Sequence, residues 1–399
     1  MQTLRLKPRN ALPLFSRHPW VYATSLQKGS DGADLMPGME VVVATAEGEP
    51  IARGLVNPHS LLRVRLYSWQ PDATITSDTF APLIDRAIAF RQRVLGQTKT
   101  GRLIFSEADG LSGLTVDSYD GYLLVQLTSG ALATRLESLL DLLTERLTPP
   151  GIWLRIPREI AEREGLDPTD RHIRGDQPPR PLVIEQPGPD GQTLRFGVDL
   201  IGGQKTGFYY DQRENRLAVA ELCRGQRVLD GHCYTGGFSV AISADGRASE
   251  VVGVDSSEPA IAMARVNAEM NGCRNVRFEQ ARIADYLSDA AEQGERFDVV
   301  ILDPPKLAKS QSGLNRALKA YVRQTVAGLS VLASRGTLVA HSCSGLVSQT
   351  AFDDVLQRAS LESGRPMRIL QRRGAAVDHA PSVYCSQSDY LKCRVCAVD

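Results

Sequence analysis

Net charge is missing from this chain of 399 residues: 46 lysines and arginines balance 46 aspartates and glutamates. Bulk charge therefore gives no argument for nucleic-acid binding, and any such argument must be local. Long apolar runs are missing too. No uninterrupted stretch approaches the ~18 residues that cross a bilayer, and the opening MQTLRLKPRN lacks the apolar core of a secretory signal. A disulfide framework is also excluded. Seven cysteines, an odd number scattered along a long chain, fit free thiols in a reducing compartment, so a cytoplasmic, membrane-free protein is expected. With 42% hydrophobic and 23% charged residues the composition is that of a folded globular chain rather than a disordered or fibrous one. The length suggests two or three domains at ~150 residues each.

Two linker-like stretches divide the chain. Trp69 to Asp78 is polar, and Gly175 to Gly191 holds five of the 22 prolines, too many for a helix interior or a central strand. The expected domains are 1–72, 73–187 and 188–399. The first reads as short strands, MEVVVAT, PIARGLV and LLRVRLYS, between Gly, Pro and Asn punctuation, which suggests a small β-barrel. Its first 30 residues carry Arg5, Lys7, Arg9, Arg17 and Lys28 and no acid, beside Trp20 and Tyr22. Basic groups beside aromatics suit RNA phosphates and stacked bases; a solvated basic face with Trp20 in the core is the plainer alternative. The second domain combines a helix, FAPLIDRAIAFRQRVL, with strands joined by Asp-Gly turns, a helix from about Ala131 to Leu147, and the strand GIWLRI. It shows no catalytic constellation and reads as an α+β structural or positioning module.

The third domain alternates strand and helix. Strands are expected at 227–230, 250–255, 275–278, 297–303 and 336–342, with an amphipathic helix from about Leu314 to Leu332. Repeated βα units imply an α/β, Rossmann-like domain whose parallel sheet binds ligands at the carboxyl ends of its strands. Functional residues are therefore sought just after each strand. After the first comes Asp230-Gly-His-Cys-Tyr234-Thr-Gly236-Gly237, a glycine pair that lets a ligand approach the backbone. The G-x-G-x-x-G fingerprint of dinucleotide sites is absent. After the second comes Asp255, placed to accept ribose hydroxyls. Together these favour S-adenosylmethionine over a nicotinamide. After the fourth comes Asp303-Pro304-Pro305-Lys306, an extended loop that aims Asp303 at the cleft. Such a loop is characteristic of methyltransferases acting on nitrogens or bases of nucleic acid. After the fifth comes Ser342-Cys343-Ser344-Gly345. A thiolate in that row can activate a pyrimidine for methylation at C5, although spacing alone leaves Cys343 open as a small buried hydrophobe. Cys393 and Cys396 lie in a strand-like run, where odd spacing turns them to opposite faces; no metal site is expected.

These residues together closely resemble the bacterial ribosomal RNA large subunit methyltransferase I family, whose members methylate C5 of a cytosine in 23S rRNA with S-adenosylmethionine. The resemblance spans almost the whole chain. Arg17-His-Pro-Trp-Val21 resembles the family's PUA domain, and the stretch from Glu107 to Asp117 its central domain. Lys205 to Arg213, Tyr234 to Phe238, Asp303 to Lys306 and Ser342 to Leu346 match its catalytic domain. The resemblance implies an α/β methyltransferase domain at the carboxyl end, preceded by a PUA barrel and a central α+β domain. It implies Cys343 as the nucleophile, and a cofactor pocket formed by Phe208, Gln212, Arg213, Tyr234, Gly236, Gly237, Asp255 and Asp303. It also implies 23S rRNA as partner, naked or partly assembled, with Arg5, Lys7, Arg9, Arg17, Lys205 and Lys306 as RNA contacts; a homodimer is compatible with it.

There are departures from the family pattern. Arg282 stands where many members carry an acid for adenine, Gly231 and His232 follow Asp230, and Lys306 stands where other RNA cytosine-C5 enzymes have a second cysteine. The loop Ala376 to Pro381 supplies Asp378 or His379 as a base for the C5 proton, with a loop-fixing hydrogen bond as the plainer role; Asp303 is the other candidate base. Two rival functions remain at this level: an rRNA methyltransferase with another target, guanine N7 or uracil C5, and an RNA-binding assembly factor with an inactive methylase core.

Overall fold

The computed structural model describes residues 2–201, 207–308 and 310–399. Lys205 and the Gly202–Thr206 part of the expected pocket segment lie outside the described residues. The chain forms two compact units. One comprises Met1–Leu182, Asp199–Gly207 and Asp378–Ser388, the other Val183–Val198, Phe208–Val377 and Asp389–Asp399.

The first unit holds two five-stranded sheets. In one, strands run in the order Gln2–Arg5, Glu40–Ala44, Pro50–Val56, Val64–Ser68, Trp20–Val21 around a core that includes Leu4, Val41, Val43, Val56 and Leu66. The three strands expected from β-branched runs are there. The short outer strands Gln2–Arg5 and Trp20–Val21 lack that composition and join through backbone pairing. In the other sheet, Asp120 and Gly121, both with φ > 0, join Leu114–Tyr119 to Tyr122–Leu127. That is the two-residue turn that Asp-Gly favours. Helix Ser77–Leu95 packs on this sheet, opened by a Thr76 capping box and closed by left-handed Gly96. The single helix expected at 131–147 is two: Gly130–Ala133 and Leu136–Leu147, separated at Thr134 and Arg135. Arg135 leaves helical geometry (φ −112°, ψ 8°), so leucine periodicity alone joined two elements that the backbone separates.

The second unit is built on a seven-stranded sheet. Its strands are β1 (Arg227–Gly231), β2 (Glu250–Asp255), β3 (Val276–Gln280), β4 (Phe297–Leu302), β5 (Leu332–Ser342), β6 (Met367–Arg373) and β7 (Lys392–Val398), in the order β3-β2-β1-β4-β5-β7-β6. The first five are parallel; β7 runs antiparallel to both β5 and β6. Alternate residues feed opposite faces. Leu229, Val252, Val300 and Leu338 enter one core, while Val228, Val251, Val299 and Val339 enter the other. Runs apolar on both faces are what a sheet covered by helices on both sides requires. Cys393 and Cys396 obey the same alternation and fall in opposite cores. Helices α1 (Arg213–Leu222), α2 (Gly237–Ser243), α3 (Glu258–Met270), α4 (Ile283–Glu292), α5 (Leu314–Ser330) and α6 (Gln349–Ser363) complete the layers. Strand order reverses between β1 and β4, so the crevice for a ligand opens at their carboxyl ends.

Among the described residues no helix is long and apolar enough to cross a membrane, and no His/Cys/Asp/Glu group could hold a metal ion. All seven cysteines are free.

Candidate active site at the carboxyl edge of the sheet

The turn after β1 is strained. His232 (φ 64°), Tyr234 (φ 50°) and Gly236 (φ 77°) are all left-handed within five residues. Non-glycine residues hold that conformation only where surroundings over-determine it. Here the surroundings are visible. The Tyr234 N–H donates to Asp255 Oδ2 (3.0 Å), and His232 bonds Gln324 of α5. At Gly236, a Cβ would come within 3.2 Å of Ala264 and the Phe278 ring on a left-handed backbone, so a side chain there is crowded as well as strained. His232 is thus part of the scaffold, and burial lowers its pKa.

Asp230 is buried at the end of β1. Its Oδ2 accepts from the N–H and hydroxyl of Ser239 (2.9 and 2.6 Å), whereas Oδ1 has no protein partner among the described residues. Burial, with a contribution from the Asp303 charge, raises its pKa to about 6 against Ser239's opposing bonds. Asp255, half-buried after β2, accepts backbone N–H groups from Tyr234 and Ser257, which fixes its carboxylate at the crevice. After β4, Asp303 accepts from Gln212 Nε2 (2.9 Å), bringing together two predicted residues 91 positions apart. Tyr209 and Tyr234 meet edge to face, centroids 5.3 Å apart.

The donor set fits S-adenosylmethionine. Carboxylates at the ends of β1 and β2 suit ribose hydroxyls and an ammonium group, a glycine turn lets the ligand near the backbone, and two aromatic rings supply a wall. Two of the predicted contacts are placed differently. Phe208 is buried against Phe196 (4.9 Å) with the Arg216 guanidinium 4.3 Å over its ring, and Arg213 is buried, its Nε donating to Gln186. Both brace the segment that carries Tyr209 and Gln212. Arg282 projects into solvent, 77% exposed, beside Asp285.

Cys343, half-buried after β5, lies with its Sγ 3.9 Å from the Pro304 carbonyl, to which the thiol donates. The two loops are tied beneath it. The Ala308 N–H donates to Ser344 Oγ (3.2 Å), which also meets the Tyr321 hydroxyl (3.1 Å), and Ser342 donates to that same hydroxyl (2.9 Å). Sequence reading missed Tyr321, Asp230 and Tyr209. Asp230 ends a predicted strand and could have been found from that; Tyr321 lies on a helix where it reads as core.

In the first unit, Asp378 and His379 are both buried. Asp378 Oδ2 accepts from the Arg102 N–H (3.0 Å), Oδ1 pairs with His379 Nδ1 (2.9 Å), and its carbonyl accepts from Arg91 (2.9 Å). Arg91 in turn bonds Asp109 (2.6 Å). This is an anchored loop. The basic candidates Arg5, Lys7, Arg9 and Arg17 are exposed, as is Lys306 in the second unit. Lys7 reaches the Thr24 carbonyl (2.8 Å). Trp20, on the edge strand of the first sheet, donates to Glu107 (3.0 Å).

The S-adenosylmethionine-dependent methyltransferase family profile matches residues 107–357, and a PUA-like profile matches 4–69. Among curated relatives, ribosomal RNA large subunit methyltransferase I of Photobacterium profundum is 36% identical over 96% of both chains. The protein of that name from Tolumonas auensis is 32% identical over 98% of both. Two solved structures cover the whole chain and are covered whole by it. A chain from Streptococcus mutans, described as a SAM-dependent methyltransferase, has a TM-score of 0.84 at 18% identity, and a methyltransferase complexed with SAH has 0.85 at 19%.

Proposed function

Because the chain belongs to the ribosomal RNA large subunit methyltransferase I family of S-adenosylmethionine-dependent enzymes, we propose that it methylates C5 of a cytosine in 23S rRNA through a covalent bond from Cys343. The observation that carries this reading is the half-buried Cys343 against the Asp303-Pro304 loop at the carboxyl edge of the sheet.

C5 of a cytosine is too weak a nucleophile unaided. Addition of the Cys343 thiolate to C6 moves an electron pair onto C5, which then forms the new C–C bond. S-adenosylmethionine, when bound, supplies the electrophilic methyl on a sulfonium. A base then takes the C5 proton, the C6–S bond breaks, and the pair returns to sulfur. The base must leave its stack first, since stacking covers both faces of C5–C6.

Asp255, Asp230 and the Gly236–Gly237 turn are assigned to the cofactor. Asp303, one oxygen held by Gln212, is assigned to the cytosine and to the departing C5 proton. Asp378 and His379 are assigned a loop-anchoring role, because Asp378's two oxygens are engaged. Arg5, Lys7, Arg9, Arg17 and Lys306 are assigned to RNA phosphates, which their exposure permits.

The test is transfer of labelled methyl from S-adenosylmethionine to unmodified 23S rRNA, wild type beside Cys343→Ala, with nucleoside mass analysis. The reading expects 5-methylcytidine, and a loss above ~10⁴ in the variant, about 5.5 kcal/mol of barrier. An active variant, or a methylated purine as product, overturns it.

A further inference from the structure

Lys392 opens β7, where it pairs across β5 with Ser342, the residue before Cys343. Its side chain is wholly buried. The ammonium donates to the carbonyls of Ser344 and Tyr390, both at 2.7 Å. The lysine therefore brackets the thiol: its backbone lies opposite the residue before Cys343, and its Nζ holds the residue after. A buried ammonium is expensive unless a charge compensates it. Among the described residues none of its hydrogen-bond partners is a carboxylate. We propose that Lys392 is a positioning residue for Cys343, its ammonium locking the Ser342–Gly345 loop and favouring the thiolate.

This rests on the reading of Cys343 as nucleophile. The Cys343 sulfur that adds to C6 is also the sulfur that leaves. A positive charge nearby, carried while Lys392 is protonated, stabilises sulfur's negative charge at both stages. The lysine shares the loop with a second buried cation, His341, whose pKa, against the lowering effect of burial, is raised to about 9 by Cys393, Asp303 and the Leu302 carbonyl. Cys343 and Asp389 act on Lys392 in one direction and Arg394 in the other, while burial, the largest effect, brings it down to about 8. Arg394 is itself paired with Asp353 (2.6 Å). Tyr209 and Tyr321, which also sense Cys343, are pushed up by burial and stay neutral. His341, on β5, turns its Nδ1 to the Leu302 carbonyl (3.4 Å) and is common to every variant below.

The experiment is the pH dependence of Cys343 alkylation by iodoacetamide on the full chain, followed by peptide mass spectrometry, for wild type, Lys392→Met and Lys392→Arg. S-adenosylmethionine binding checks that each is folded. The half-maximal rate is expected about one pH unit higher in Lys392→Met, and near wild type in Lys392→Arg. Methyl transfer by Lys392→Met should fall about tenfold in kcat at pH 7 with KM for RNA unchanged. Coincident wild-type and Lys392→Met profiles overturn the proposal. So does a wild-type midpoint at or above the ordinary cysteine value of about 8.5, which needs no variant at all. The nucleophile reading fails separately, if Cys343→Ala still transfers methyl.

Discussion

Two buried polar clusters, one around Glu164 in the first unit and one around Asp230 in the second, are built in opposite ways. In the first, Glu164 is buried, yet its carboxylate accepts from Asn57 (2.9 Å), Ser60 (2.6 Å) and the Gly130 N–H (2.9 Å), with Arg65 at 3.8 Å. Arg102 grips Asp117 with two bonds of 2.7 and 2.8 Å. Donors and acceptors match: the Glu164 bonds tie the loop of Asn57 and Ser60 to the Gly130 helix, and the Arg102–Asp117 pair ties neighbouring strands of the second sheet. In the second unit, the buried Asp230 keeps one oxygen without a protein partner among the described residues, three left-handed residues crowd one turn, and Cys343 is only half-buried. At this turn an unmet polar group and backbone strain coincide, at the place where a ligand has to be met. Burial of a charged residue is therefore no guide to function until its bonds are counted.

That contrast can be broken by substitution. The largest effect is expected at Glu164. Glu164→Ala strands three donors beside Arg65 and should cost about 3 kcal/mol in chemical denaturation, while methyl transfer per folded molecule stays near wild type. A drop in turnover without lost stability would place function in this cluster.

Asp230 gives a comparable effect that depends on pH. Its pKa, about 6 folded against an ordinary 3.8, means that it stabilises the fold below about 3.8. That stabilisation is lost as the pH rises through about 6, roughly 3 kcal/mol in all. Asp230→Asn should therefore flatten the stability difference between pH 4 and pH 7 relative to wild type, and weaken S-adenosylmethionine binding. Parallel stability curves for the two proteins would show that the orphan oxygen carries no strain.

Tyr321→Phe sharpens the contrast on a smaller scale. It removes the hydroxyl bonding Ser342 and Ser344 and should cost about 1 kcal/mol of stability, with methyl transfer reduced more than S-adenosylmethionine binding. Equal losses in both would deny it a part in placing the Cys343 loop. The smallest effect is expected at Arg282. Its side chain is largely solvated, so Arg282→Ala should alter stability by less than about 0.5 kcal/mol and leave cofactor affinity unchanged within twofold. A larger change in the dissociation constant would give Arg282 the adenine contact that its position in the sequence suggests.

The five parallel strands of the second unit's sheet stood in the sequence within a few residues, because their apolar runs are broken by turn residues, whereas β6, MRILQRR, was not expected: it carries three arginines and buries no residue. The parallel order of those five followed from the helices between them, and with it the row of loops holding Asp255, Asp303 and Cys343. Local pattern also misled, as at Arg135, where leucine spacing continued across a break in the backbone. It was silent on pairing. Lys392 and Ser344 lie 48 residues apart, Gln212 and Asp303 91, and Asp378 and Arg102 276. Each of those side chains could as well have faced solvent. Periodicity records which face of an element is apolar, and that is a property of neighbours along the chain. Which buried acid finds its donors, and which is left with a bare oxygen for a ligand, depends on residues that meet only after the sheets have closed.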